Sequence, residues 1–406
     1  MSEAVDKRRI APPCATPKSC TNTNKPREKP SSAIHTPHML KPITVYGFLC
    51  LFALIGDTAV QGSFEESALP PRVTEACQSP SGVEQDRASV STDDLENYFR
   101  KHRVIELSEE VLIGEVTSLD VGKNGDLLIA DGLGQALWIF DKDGALKKEI
   151  SPEACHPGFT MRPIEAHYAQ DLYILLSNSG PPGYRFNTDG SCLSSMHYEF
   201  LPPKSFSFDD QGHIYGIYSY PSGYRLVVMD EQGKKIHHFD LVEEPFPIIA
   251  TRVEGSGVHY QDGHIFYVSV AIPALHKYSE EGELEEVYQV RPTFYRPIKR
   301  DLPDFSNPRS FFKAFVQIKK ESTLVVNFYS LDADKFMLQY LNGSEMGFQI
   351  VDVQGNVLAE YLGLDFPFFL AKDGLAYRVV QPDLDEQGHL SNPFIEVYRY
   401  VGPKTP

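Results

Sequence analysis

The chain has 406 residues, room for two or three average domains, and 38 basic against 55 acidic residues give it a formal charge of −17. Residues 1–62 hold eight of the Lys/Arg and four of the acids, so 30 basic and 51 acidic residues remain beyond them, a formal −21. A body this acidic argues against nucleic acid or an anionic membrane surface as partner, since both need a basic footprint.

Residues 1–38 are polar, rich in Pro, Thr and Lys, and lack an apolar period, so they read as a disordered leader. Met39-Leu40-Lys41-Pro42 then opens an apolar run from Ile43 to Gly56. That run has signal-peptide length and is shorter than the roughly 20 residues of a spanning helix. Residues 39–62 are therefore expected to be a signal peptide or, if uncleaved, an anchor with the basic tail inside. Translation from Met39 would account for the leader, and Asp57 closes the run early, which favours cleavage near Ala59 or Gly62. Either route predicts an extracytoplasmic body: periplasmic, secreted or membrane-anchored.

Residues 63–97 form a Pro/Ser/Glu-rich linker ending in a short helix opened by Ser91-Thr92-Asp93-Asp94, a capping-box start. Val104-Ile105-Glu106-Leu107 is a strand without a hairpin partner of its own. Beyond it one unit recurs. Asn124-Gly125 closes a hairpin, Leu127–Ala130 and Leu137–Phe140 are short apolar runs, and Asp141-Lys142-Asp143-Gly144 closes the next hairpin. First-hairpin equivalents follow at Ala169-Gln170-Asp171, Asp210-Gln211-Gly212, Gln261-Asp262-Gly263, Lys320-Glu321-Ser322 and Lys372-Asp373-Gly374. Second-hairpin equivalents stand at Asp189-Gly190, Gln232-Gly233, Glu281-Gly282 and Gln354-Gly355. Gly125 to Gly144 and Gly263 to Gly282 are both 19 residues apart, and Gly212 to Gly233 is 21. A fixed inner spacing within a longer outer period predicts four-stranded antiparallel blades, and six first hairpins predict an all-β, six-bladed β-propeller over 98–406. The last blade stops one strand short at Tyr400. Val104–Leu107 is expected to supply its outer strand and so close the ring. The fifth blade, read from Phe315 to Tyr361, has surplus residues at 330–345, and the sixth at 381–392. Both are expected between second and third strands, on the binding face.

Ile129-Ala130-Asp131 followed by Leu137-Trp138-Ile139-Phe140-Asp141-Lys142-Asp143-Gly144 resembles an NHL-type repeat, the unit of many six-bladed propellers. Gly134-Gln135-Ala136 replaces the Asn-His-Arg usual there, and only this first blade matches closely. The chain is also similar to the six-bladed propeller proteins exported by many bacteria, a resemblance that implies a fold more than an activity.

For a ligand, arginines stand ahead of the expected innermost strands: Arg162, Arg252 and Arg309, with Tyr295-Arg296-Pro297-Ile298 copying the surroundings of the first. If they converge at the channel mouth, their planar forks suit a carboxylate or phosphate. The alternative pairs each with a neighbouring acid such as Glu165 or Glu254. Gly183-Tyr184-Arg185 and Gly223-Tyr224-Arg225 echo one another. Tyr184 and Tyr224 either stack on a sugar or peptide or pack between blades. His167-Tyr168 and His259-Tyr260 occupy equivalent places, as channel ligands or as hydrogen-bonded core histidines. Cys155 and Cys192 are either a disulfide or two free thiols.

No Cys/His ligand spacing appears, and the Asp-x-x-Gly turns at Asp141, Asp209 and Asp230 lack the alternating ligands of a calcium loop. Nucleophile-elbow, His-Glu-x-x-His and phosphate-loop motifs are missing too. No catalytic residue, metal or cofactor is therefore expected. The reading is a non-catalytic binding module for a protein or a small anionic or carbohydrate ligand, touching a membrane only through an uncleaved N-terminal segment. The alternative is a metal-dependent hydrolase or lyase of gluconolactonase-like type. The Glu, Asn and Asp of that class have Arg, Pro and apolar residues in their places here.

Overall fold

In the computed structural model the described residues are 95–155, 157, 163–169, 172–177, 183–196, 205–209, 211–220, 223–241, 257–299, 308–383 and 391–402. The chain divides into two compact units, Met1–Ser81 and Gly82–Pro406, and all described residues belong to the second. The leader, the 39–62 segment and most of the 63–97 linker lie outside them. No helix among the described residues is long and apolar enough to cross a membrane.

After a single 3-10 turn at Leu95–Asn97 comes β1 (Phe99–Glu106). The first blade holds β2 (Val116–Val121), β3 (Leu127–Asp131), β4 (Ala136–Phe140) and β5 (Leu146–Ile150). The second holds β6 (Pro163–Ala169), β7 (Leu172–Ser177), β8 (Gly183–Asn187) and β9 (Cys192–Met196). The third holds β10 (Phe206–Phe208), β11 (Ile214–Tyr220), β12 (Gly223–Met229) and β13 (Lys235–Asp240), and the fourth β14 (Gly257–Gln261), β15 (His264–Val268), β16 (Ala274–Ser279) and β17 (Leu284–Gln289). Helix α1 (Pro308–Glu321) precedes the fifth, which holds β18 (Thr323–Asp332), β19 (Lys335–Asn342), β20 (Glu345–Asp352) and β21 (Val357–Leu364). The last strands are β22 (Leu370–Lys372), β23 (Leu375–Val380) and β24 (Phe394–Tyr400).

These strands make six four-stranded antiparallel sheets among the described residues, five of them from four consecutive strands. The sixth is ordered β1-β24-β23-β22: Phe99 pairs with Tyr400 and Glu106 with Phe394, so its outer strand comes from the start of the described chain. The fold is an all-β propeller with four-stranded antiparallel blades. The short helix expected near residue 95 shrinks to one turn, because pairing with β24 claims the chain from Phe99 onward.

Local chemistry explains the hairpins. The carboxylate of Asp141 accepts the N–H groups of Asp143 and Ala145, both at 2.9 Å, while Gly144 takes φ 93°, which side chains avoid. Asp230 and Asp352 repeat the device with Gly233 and Gly355. Gly144 is constrained twice, since a Cβ there would lie 2.0 Å from the Glu106 carbonyl, where β1 ends. The buried Asp131 ties off the first blade. It accepts N–H groups from Gly114, Glu115, Leu133 and Gly134 and stands 3.4 Å from the Trp138 indole nitrogen.

The fifth blade departs from the sequence reading. Lys320-Glu321-Ser322 is the end of α1, not a hairpin, and Leu324-Val325-Val326 belongs to the first strand, not the second. The hairpin is Ala333-Asp334, and the surplus residues precede the blade as a helix instead of lengthening a loop inside it. Pro308 suits a first helical turn, Ala314 and Ile318 are buried one turn apart, and Lys319 and Lys320 sit at the negative end of the helix dipole.

Apolar side chains fill the gap between each blade and the next. Leu128 and Ile139 of the first blade meet Tyr184 and Phe186 of the second. Met196 of the second meets Phe206 and Met229 of the third. Ile105 and Ile395 of the last meet Leu119 and Trp138 of the first. Phe99 packs on the rings of Phe348, Phe368 and Tyr400 at 5.3–5.5 Å between centroids. A buried aromatic of this kind is worth about 3–5 kcal/mol against alanine. Cys155 and Cys192 form a disulfide across 37 residues, joining the end of the first blade to β9.

Candidate functional site

First strands lie against first strands: β22 beside β2, β2 beside β6, β10 beside β14, β14 beside β18 and β18 beside β22. The remaining junction is bridged by the His167 ring on Phe206, 4.4 Å between centroids. These strands are therefore innermost, and their polar side chains are the ones within reach of a central channel.

One chain of charges crosses three of them. Lys372 on β22 holds the Asp120 carboxylate at 3.0 Å and donates to the Val121 carbonyl at 2.7 Å. Asp120 on β2 also accepts the backbone N–H of Tyr168 at 2.8 Å and of Val121 at 2.7 Å. Its second oxygen lies 3.7 Å from His167 Nδ1, an ion-pair distance too long for a hydrogen bond. On the other side, His167 Nε2 meets Glu165 at 2.9 Å. Burial alone would raise the Asp120 carboxyl, but the contacts with His167 and Lys372 and the Tyr168 N–H outweigh it and bring it down to about 2. Burial alone would lower the His167 imidazole. Asp120 and Glu165 overcome it and raise the ring to about 9, so it is an imidazolium at neutral pH.

His259 on β14 faces different company. It donates Nε2–H to the Phe328 carbonyl at 2.9 Å and lies against the Phe328 and Phe336 rings. Burial lowers it to about 4 despite that hydrogen bond, and the charge of His167 pushes the same way, so it stays neutral. Tyr329 donates to the Phe368 carbonyl at 3.0 Å, and burial together with the Glu165 charge pushes its phenol upward.

Both histidines are hydrogen-bonded members of the fold: both ring nitrogens of His167 face carboxylates, and Nε2 of His259 meets a carbonyl. No group of three or more His, Cys, Asp or Glu among the described residues could hold a metal. The Asp209 turn, calcium-like in sequence, binds its own chain: it accepts N–H groups from Gln211 and His213 and pairs with the His213 ring at 2.7 Å.

Of the expected ligand residues, the described Arg309, Tyr184 and Tyr224 lie on three different elements. Arg162 and Arg252 lie outside the described residues. Arg309 starts α1, so it heads a helix, not an innermost strand. Arg296, the copy, is spent inside the protein on the Asn342 side chain at 2.8 Å and its carbonyl at 3.1 Å. Tyr184 is fully buried between the first two blades and offers no face to a sugar. Tyr224 lies within β12, paired with Ser219, not in a loop. The residues that sequence reasoning missed are Asp120 and Lys372, 252 positions apart. A signal for the first exists: Ser118-Leu119-Asp120 stands seven to five residues before the Gly125 turn, as Ser205-Phe206-Ser207 does before Gly212.

No family model and no curated protein sequence matches the chain. Among solved structures it is similar to a candidate exported protein of Bacteroides fragilis, with TM-score 0.52 and 11% identity over 77% of this chain and 98% of that one. A member of the DUF4221 family from Bacteroides vulgatus is similar at TM-score 0.51 and 11% identity, over 76% and 99%. At such identity the likeness is one of fold, and the fold it supports is the propeller.

Proposed function

We propose that the protein is an exported six-bladed propeller of NHL-repeat type that binds a ligand without transforming it. The observation that carries the non-catalytic reading is the saturation of the inner-strand charges. Lys372, Asp120, His167 and Glu165 neutralise one another in sequence, which leaves no free nucleophile and no open set of metal donors in the group. Six blades closed by an N-terminal strand are supported by the β1–β24 pairing and by the apolar contacts between that sheet and the first blade. The match of blade one to the repeat supports the type. A Cys155–Cys192 disulfide suits an oxidising compartment, and the candidate exported neighbour from Bacteroides fragilis supports the same location.

The ligand of this reading is a protein or a small anionic or carbohydrate molecule, with Arg162 and Arg252 as its anion contacts. The test is equilibrium binding of glucuronate and galacturonate to the full chain purified from an exporting bacterial host, with a wall-free fraction analysed for location. Arg162→Ala and Arg252→Ala should each weaken binding about tenfold or more, the effect of losing a charge-assisted hydrogen bond of roughly 1.5–3 kcal/mol. Unchanged affinity in both variants, or consumption of the sugar, would sink the reading.

A second reading, a lyase, draws on one observation: the two inner histidines hold opposite protonation states at neutral pH, as an acid and a base do. It requires turnover that His259→Phe abolishes.

A further inference from the structure

The repeated Gly-Tyr-Arg triplets supply an internal control. Both arginines sit on third strands, Arg185 on β8 and Arg225 on β12, and each faces a residue of its blade's outer strand. Opposite Arg225 stands Asp240, and the guanidinium donates Nε–H to its carboxylate at 2.6 Å. Opposite Arg185 stands Ser194, which brings no charge. The side chain of Arg185 is only 9% exposed, and its buried Nε has no hydrogen-bond partner, nor has the Ser194 hydroxyl beside it. Among the described residues the carboxylate paired with it is Glu231, at 3.8 Å from one terminal nitrogen, beyond hydrogen-bond reach and 60% exposed to solvent, with Asp230 adding a more distant charge.

A buried guanidinium whose Nε is unsatisfied and whose ion pair is long and exposed is costly, because the charge has left water and gained little in return. Here it also lines a crevice between the second and third blades, walled by Ala169, Ile174, Phe208 and Ile214, with Glu231 at its rim. The enclosed room is about that of one water molecule, enough for one oxygen of an entering group.

We propose that this crevice is an anion site that takes one carboxylate from outside the chain, in the place Asp240 fills in the next blade. The planar guanidinium fork matches a carboxylate, and the apolar walls keep competing water away. Desolvation already weakens the hold of Arg185 on its own proton, and an incoming carboxylate would reverse that. The site is independent of the channel reading above.

The experiment follows the unfolding midpoint of the full chain as sodium formate replaces sodium methanesulfonate, an anion too large for the crevice, at constant ionic strength. Wild type should show a Tm that rises with the logarithm of formate concentration, as a ligand bound only by the folded state requires. Ser194→Asp plants the missing carboxylate. It should raise Tm without formate and abolish the response. Arg185→Gln should also lose the response, and should it fail to fold, Ser194→Asp carries the test alone. N-acetylglycine and its amide distinguish sources. A response to formate alone assigns the site to free ions, and a response to N-acetylglycine but not its amide assigns it to a peptide terminus. No response in wild type, or an equal response in Ser194→Asp, overturns the proposal.

Discussion

His167 and His259 stand at the same place in the second and fourth blades, each followed by tyrosine and each two residues from the end of its first strand. Their surroundings repeat as well. Ala166 donates its N–H to Ser118 of the preceding blade, and Val258 donates to Ser205. Tyr168 donates to Asp120, and Tyr260 to Ser207. Two substitutions in the repeat separate the surroundings: Asp120 in place of Ser207, and the Glu165 carboxylate where the fourth blade has Gly257. Asp120 and Ser207 accept the same backbone N–H, but only the carboxylates stabilise a charged ring, so His167 rises to about 9 and His259 falls to about 4. In a repeat fold the backbone fixes where a side chain sits, and the side chains around it decide its chemistry.

The harshest way to break the comparison is Asp120→Ala. It strips the acceptor from two backbone N–H groups and leaves Lys372 and His167 without their shared counter-charge. Removing one partner of a buried ion network costs about 3–5 kcal/mol. Urea unfolding should show a loss of that order, and Asp120→Asn, which keeps an acceptor, a smaller one. Equal stability in all three proteins would mean the network is ornamental.

Next in size is the pH dependence, in which the two histidines work in opposite directions. The folded pKa of His167 is raised above the unfolded value of about 6.5, so its contribution is complete below that pH and is lost as pH climbs through about 9. The shift corresponds to about 3 kcal/mol at most. His259 is depressed, so its contribution is complete above about 6.5 and is lost as pH falls through about 4. Asp120 contributes above its ordinary range and loses that only as pH falls through about 2. Stability measured from pH 3 to 10 should decline on both flanks. His167→Asn should flatten the alkaline flank, and His259→Asn the upper part of the acid one. An alkaline flank that survives His167→Asn would assign it to another group.

A gentler change sharpens the comparison. Ser207→Asp copies the first pair of blades onto the second, and the new carboxylate should raise His259 by about 1–2 pKa units, which histidine proton resonances would read directly. Among the described residues no lysine hydrogen-bonds Ser207 as Lys372 does Asp120, so a modest loss of stability should accompany the rise. An unmoved His259 resonance would show that the Phe328 carbonyl and the aromatic rings, not the serine, set its state.

Much of the fold is legible because turns are written locally. Asn124-Gly125 and Asp141–Gly144 each carry the positive-φ glycine, and Asp141 also the side chain that accepts its turn's N–H groups, so spacing alone gives the strands between them. The fifth blade resisted for the same reason. Its first turn, Ala333-Asp334, contains no glycine, and the phenylalanines of α1 imitate the apolar run of a strand flank. The site was harder still. Asp120 looks like a lone acid before a turn, and what makes it consequential arrives from residues 48 and 252 positions away. Arg185 and Arg225 read alike in the sequence. Only the cross-strand register, serine against aspartate, tells them apart.

The smallest effect tests the part of the comparison that should not differ. Ser118 and Ser205 do the same work in both pairs of blades, each accepting one N–H from the next first strand at 3.2–3.3 Å. Neither bond touches the histidine rings. Ser118→Ala and Ser205→Ala should therefore each cost about 1 kcal/mol, the net worth of a neutral hydrogen bond, and leave both histidine resonances in place. The Ser118 hydroxyl also stands 3.3 Å from the Ala166 carbonyl, so its loss should be the larger by a few tenths at most. If Ser118→Ala instead drags His167 toward its ordinary pKa, the seam between the first two blades is held by the serine and the charges together. Asp120 and Glu165 would then no longer be the only differences that matter.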